Sequence, residues 1–420
     1  MNASAAPLAA GPALARTARL HSLGWLVGAS AAGVWLAALL VWPALGGGHA
    51  FAGYGRWMPV HLDGQLYGWC ALPLVGALLA GCLEPRHPSA SSHARIAFGV
   101  WTAALLLGVA AWLGGVTSGK LFLDWAGWAR PLLAIALALL WTLLAAHLWW
   151  GKSRAHTTRW RVAAGLVLSL TPVPALMYWA AGREVYPSVN PDSGGATGAS
   201  LLGSTLGIVF IFGLLPHLLG MRRQPDADRG AWFWWALAGS FLVFGLIDHG
   251  HASHHAPAQI AGLGVLLAWV PLLWIYGYGW VWSTGARRWA LAAGVWWAVL
   301  VASGWAAFLP GASEASKFTH MLVAHAHLAM AGLVSAVNFA VLNELAPERP
   351  VGGRLAFWLW QGGTVAHVAL LAGLGSVETE RAADLFYGAG WTQAIFVGRL
   401  LAGLAMLAGA AVAWREARRA

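Results

Sequence analysis

Sixteen histidines, set against 15 Asp and Glu, carry most of the chemistry this sequence offers. His21, His49, His87, His93 and His156 fit ordinary positions near a membrane surface. His147 and His217 fall near helix ends, where an amphipathic ring can reach toward water. The others gather in four places. His61 stands in GRWMPVHLDGQLYGW (55–69), and His325 and His327 stand in FTHMLVAHAHLAMAGLVSAVNFAVL (318–342), with His320 just before them. His367 lies further on, and HGHASHH (249–255) holds His249, His251, His254 and His255 directly after Asp248. Neutral imidazole binds metals without bringing a fixed charge into an apolar interior. At about 100° per residue, His325 and His327 point to opposite faces of one helix. One helix could therefore serve two metal centres, one on each side. A lone intramembrane histidine is more often a core residue satisfied by one hydrogen bond. The His-x-His pair together with His61 favours ligands instead.

The elements that position these residues are membrane spans. Of the 420 residues, 59% are hydrophobic and only 10% charged, and the mean hydropathy is +0.64. A soluble domain carries roughly 25% charged residues. A soluble enzyme, a disordered chain and a nucleic-acid reader are excluded on that ground. The 29 Trp and 53 Gly suit packed helices with aromatic belts. Apolar stretches of about 20 residues mark transmembrane helices. Twelve are predicted, at 20–46, 57–82, 95–116, 129–150, 160–181, 199–220, 231–250, 258–283, 289–309, 318–342, 354–376 and 391–414.

With the N-terminus inside, 18 of the 25 Lys and Arg fall on inside segments and six on outside ones, while Arg399 falls within the last span. That bias orients the bundle with both termini cytoplasmic and explains the net charge of +10 without nucleic acid. In this orientation His61, His249, His325, His327 and His367 converge on one depth near the outer face. The expected organisation is a short tail (1–18), one twelve-helix membrane domain (19–415) and a short tail (416–420). The apolar run after the first tail is too long for a cleaved signal peptide. Cys70 and Cys82 form no CxxC pattern, which leaves no attached c-type haem, thiolate zinc site or disulfide framework. Asp63 and Asp248 are the only carboxylates expected within spans, either to orient a ligand histidine or to reach the interface. Tyr276 and Tyr278 are proton-relay or structural aromatics.

The stretch 318–342 resembles span 10 of the haem–copper oxidase superfamily, subunit I, and 55–69 looks like span 2 of its C-type (cbb-type) branch. GVTSGKLFLDW (115–125) is similar to the loop after span 3 in that branch. The resemblance implies two haems of b type: a low-spin haem held by His61 and His327, and a high-spin haem held by His325. It implies an oxidoreductase of the bacterial inner membrane that moves electrons from the low-spin to the high-spin haem for O₂ or NO reduction. A periplasmic electron donor (a c-type cytochrome or cupredoxin) and further oxidase subunits are the implied partners within the lipid bilayer.

The departures fall at the copper site. Ser204, in GSTLG (203–207), stands where the resemblance places a span-6 copper histidine. Asp248-His249 stands where span 7 of the family has a His-His pair, and Phe241, Leu242 and Val243 lie where its tyrosine is expected. No Lys lies in any span. The HGHASHH cluster has three readings: a remodelled second metal site using His249 and His251 with Asp248, an outward-facing copper or zinc site, or a solvated loop near the haem propionates. A degenerate, non-turnover paralogue and a twelve-helix transporter with an outward metal-binding loop are the other functions to weigh.

Overall fold

The computed structural model describes residues 11–84, 86–228 and 230–419. Residues 1–10 of the expected tail and Arg229 of the charge count lie outside the described residues. The chain is all-helical around its histidines, and it is a multi-pass membrane protein. Among the described residues, eleven helices are long and apolar enough to cross a membrane. They are α1 (Pro12–Val41), α2 (Tyr54–Cys82), α3 (Ala90–Leu113), α4 (Gly127–Trp150), α5 (Thr158–Ala180), α6 (Gly198–Leu219), α8 (Pro257–Tyr278), α9 (Thr284–Phe308), α10 (His320–Glu344), α11 (Arg354–Val377) and α12 (Gly390–Arg419). Between α6 and α8 lies α7 (Ala231–Leu246), apolar but only 16 residues long.

That length corrects the seventh predicted span. Sixteen residues rise about 24 Å, short of a hydrocarbon core of about 30 Å. The helix stops because Ile247 turns extended (φ −84°, ψ 145°). The first helix also differs: it begins at Pro12, inside the expected tail, and ends at Val41. Proline at the first helical position costs no hydrogen bond. α5 is broken between Ser169 and Val173, where Pro172 and Pro174 remove backbone donors.

The last helix returns to the first. α12 packs on α1 and α11, α11 packs on the first turns of α10, and α9 packs on the rest of α10. α2 touches α1, α6 and α10, so α2 and α10 run side by side in the interior. Both of these helices change winding midway. Residues Gly64–Cys70 of α2 and Leu328–Val334 of α10 form π-helix, and the two π segments touch each other.

A π turn loosens the backbone ladder, and in a bilayer no water takes up the freed carbonyls. Side chains take them up instead. Asn338 Nδ2 donates to Trp69 O at 2.9 Å, and Trp101 Nε1 donates to Tyr67 O at 2.8 Å. Trp360 Nε1 donates to Ala331 O at 2.8 Å, and Ser335 Oγ donates to Met330 O at 2.9 Å. Trp69 Nε1 closes the set on Ser335 Oγ at 2.8 Å. Glycine admits the bulky neighbours. A Cβ on Gly68 would meet Trp25 at 2.7 Å, and one on Gly332 would meet Trp296 at 2.6 Å.

Candidate functional site

His61 lies in the second turn of α2, just before its π segment, and His327 immediately precedes the π segment of α10. Their ring centres lie 6.3 Å apart, with planes 23° from parallel. His61 Nδ1 lies 2.8 Å from Ala29 O of α1, and His327 Nδ1 lies 2.8 Å from Val323 O one turn earlier. A carbonyl only accepts, so each Nδ1 carries the proton and each Nε2 keeps its lone pair. His61 reaches Ala29 because α1 has a glycine beside it: a Cβ on Gly33 would lie 2.6 Å from His61 Cε1.

This arrangement fits one metal ion between two imidazoles. Two rings bound to one iron at about 2.0 Å each hold their centres about 6 Å apart. A backbone carbonyl on the far nitrogen is the usual outer partner that fixes tautomer and orientation. His61 and His327 are each half-buried, so their rings are not walled in by protein on every side.

His325 points away from this pair, as the helical spacing predicts. Its ring packs on α9, where a Cβ on Gly304 would meet Cε1 at 3.1 Å, and its Nδ1 lies 3.4 Å from Ser303 Oγ. His367 of α11 sits on the other side, with its ring centre 4.5 Å from that of His327. That separation is too short for His367 and His327 to share one ion from opposite sides. His367 is buried, and neither of its ring nitrogens makes a hydrogen bond of good geometry. Arg399 of α12 is buried with Nε unpartnered, a polar group in a span that the charge count left without a role. His320 is held by Glu378, with Nδ1 2.9 Å from Oε2.

The expected second-metal residues separate. Beyond the end of α7 the chain is extended, so Asp248, His249 and His251 lie in an exposed turn rather than on a helix face. Asp248 Oδ1 accepts the Gly250 N–H at 2.9 Å, which occupies it in its own turn. His249 sets its ring edge-on to Phe244, 4.5 Å away, and His251 Nδ1 meets Val189 O at 3.2 Å. These three form no ligand group among the described residues. Ser204 is exposed on α6 and its hydroxyl donates to Leu201 O at 3.1 Å.

Two other groupings replace them. His254 and His255 both meet Glu314, which lies in the short helix Ala312–Ser316 just before α10. At the opposite end of the bundle His87, His93 and His147 cluster. His147 is wholly buried rather than reaching for water: its Nδ1 accepts the Glu84 N–H at 3.2 Å, and its Nε2 lies 3.0 Å from His93 Nδ1. Trp150 stacks on His87 at 4.2 Å. Neither grouping was legible in the spacing, because its members come from separate segments.

Asp63 is fully buried and does not reach a ligand histidine or the surface. Its Oδ1 accepts the Asp124 N–H at 3.3 Å, which docks the 115–125 segment on α2 together with the bond from Tyr67 Oη to Phe122 O at 2.7 Å. Tyr276 donates to Gly213 O at 2.8 Å, a structural tie between α8 and α6. No protein-family model and no curated protein matches the chain.

Proposed function

We propose that this chain is a haem-binding membrane electron-transfer protein of the haem–copper oxidase subunit I type, nearest the C-type branch. In this reading His61 and His327 hold a low-spin haem and His325 a second, high-spin haem, both of b type. The charge bias puts both termini on the cytoplasmic side; the resemblance adds the bacterial inner membrane, a c-type cytochrome or cupredoxin delivering electrons from outside, and further oxidase subunits as neighbours. The observation that carries the reading is the 6.3 Å separation of the near-parallel His61 and His327 rings, each with Nδ1 on a backbone carbonyl.

Bound haem would supply reversible one-electron exchange at iron. The chain's own residues do the positioning. Ala29 O and Val323 O hold the Nδ1 protons and leave both Nε2 lone pairs free, which raises ligand basicity. The Trp and Asn bonds to the π-segment carbonyls hold α2 and α10 in register around the pair. Ser303 and Gly304 of α9 set the ring of His325.

Within this fold, a subunit that relays electrons, senses a gas or assists assembly is favoured over one that reduces O₂ or NO. The serine at position 204 and the dispersal of Asp248, His249 and His251 favour it, since copper opposite a haem needs several converging imidazoles. The test is the haem spectrum of the purified chain. Wild type should show a bis-histidine haem and one CO-binding haem. His61→Ala and His327→Ala should each lose the bis-histidine signature and keep CO binding, while His325→Ala should lose CO binding. A chain without haem, or a bis-histidine spectrum that survives His61→Ala, overturns the reading and points to the transporter class.

A further inference from the structure

Three loops meet beside the N-terminal end of α10 around two adjacent imidazoles. His254 is completely buried although it belongs to a polar loop. Its Nε2 lies 2.9 Å from Glu314 Oε1, and His255 Nε2 lies 2.8 Å from the same oxygen. The two rings lie 4.2 Å apart, centre to centre. On their other edge both Nδ1 atoms approach Asp192 Oδ2, at 3.5 Å from His254 and 3.7 Å from His255. Asn190 Oδ1 lies 3.4 Å from His254 Nδ1. The carboxylates are themselves fixed. Gly311 N donates to Glu314 Oε2 at 2.6 Å, and the Ser253 hydroxyl donates to Asp192 Oδ2.

We propose that His254, His255 and Glu314 form a binding site for a divalent transition-metal ion, Zn²⁺ or Cu²⁺, with the Asp192 carboxylate close behind both rings. Three observations converge on it. The first is spacing. Ligand atoms about 2.0–2.1 Å from one ion lie about 2.9 Å apart at the 90° angles of tetragonal Cu²⁺ and about 3.3 Å apart at the tetrahedral angles of zinc. The Nε2-to-Oε1 distances of 2.9 and 2.8 Å match the tetragonal case and need only a small opening for the other. The second is the other edge of the rings. Asn190 Oδ1 accepts from His254 Nδ1 at 3.4 Å and Asp192 Oδ2 stands near both Nδ1 atoms, which leaves the Nε2 lone pairs for a metal. The third is convergence. One ligand atom from each of His254, His255 and Glu314 lies within 4.8 Å of the other two, although the three come from two separate segments.

The donor set selects the ion. Two imidazoles and one carboxylate suit zinc or copper, whereas magnesium and calcium prefer oxygen ligands throughout. His255 and Glu314 are 52% and 40% exposed at the side chain, so the ion exchanges with solvent and keeps a water position open. His249 and His251 take no part.

The test uses the full-length chain in detergent, stripped with a chelator and reloaded with Cu²⁺. Wild type should bind one Cu²⁺ at this site, with nitrogen hyperfine splitting in its EPR spectrum. His255→Ala and Glu314→Gln should each weaken binding at least ten-fold, without changing haem content. Asp192→Asn should weaken it less than either. His249→Ala, His251→Ala and His93→Ala should leave it unchanged. Wild-type affinity in both His255→Ala and Glu314→Gln overturns the proposal, as does a loss of copper confined to His93→Ala. Because the readout is copper, absence of haem would refute the proposed function and leave this test intact.

Discussion

Gly33→Ala offers the sharpest probe of the paired histidines, because the substitution adds one methyl group at a known distance from one ring. The added Cβ would lie 2.6 Å from His61 Cε1 and 2.8 Å from Nδ1. Carbon contacts are comfortable at about 3.5–4.0 Å, so the ring or helix α1 must move by roughly 1 Å. The ring cannot move that far and keep its 2.8 Å bond to Ala29 O. Overpacking of this kind costs about 1–3 kcal/mol. Against it stands the helix propensity gain of Ala over Gly, about 0.8–1.0 kcal/mol in a helix interior. The steric term wins, and the loss concentrates on the position of His61.

Gly28→Ala supplies the control, because it lies in the same helix and its Cβ would meet nothing within 4 Å. Gly304→Ala is intermediate, at 3.1 Å from His325 Cε1. The assay is optical and EPR spectroscopy of the purified chain together with its melting temperature. Gly28→Ala should keep the spectrum and hold or raise the melting temperature. Gly33→Ala should lose or broaden the bis-histidine signature and weaken haem retention about ten-fold or more, since each 1.4 kcal/mol is a factor of ten. Gly304→Ala should leave that signature alone and alter only the CO-binding haem. An unchanged bis-histidine spectrum in Gly33→Ala would refute the role given to the His61 ring.

Trp360→Phe removes the indole donor from Ala331 O and leaves a buried carbonyl of the α10 π segment unpaired. A loss of about 1–3 kcal/mol follows, seen as a lower melting temperature, whereas the exposed Trp235 changed to Phe should cost far less. Glu314 has a pH signature. Its own backbone N–H, with that of Gly311, and the neighbouring His255 and His254 hold its carboxyl at about 2, below the usual 4.5. A carboxyl depressed in the folded state stabilises above its unfolded value and loses that contribution as pH falls through the folded one. In chelator, the melting-temperature gap between wild type and Glu314→Gln should therefore hold above pH 4.5 and close toward pH 2, and a gap that widens on acidification would count against the bonding described.

Long-range order here came through in the sequence wherever it depended on composition or period. Membrane spans are legible because the bilayer demands about 20 apolar residues with an internally paired backbone. Hence ten of the twelve predicted spans sit within a few residues of observed membrane helices, and the exceptions mark local events: an early start at Pro12 and an early stop at Leu246. The opposite directions of His325 and His327 were legible too, since they depend only on helical twist. What the sequence alone could not reveal was every property that depends on which helix faces which. The π segments arise where α2 and α10 meet, and their freed carbonyls are answered by Trp101, Asn338 and Trp360, far away in sequence. The clearance at Gly33 exists only because α1 passes beside His61. In HGHASHH, spacing treats four histidines alike. Glu314 and Asp192, brought in by two other loops, single out His254 and His255 and leave His249 and His251 in the exposed turn, because a ligand set is defined by convergence in space and chain spacing constrains that only within one element.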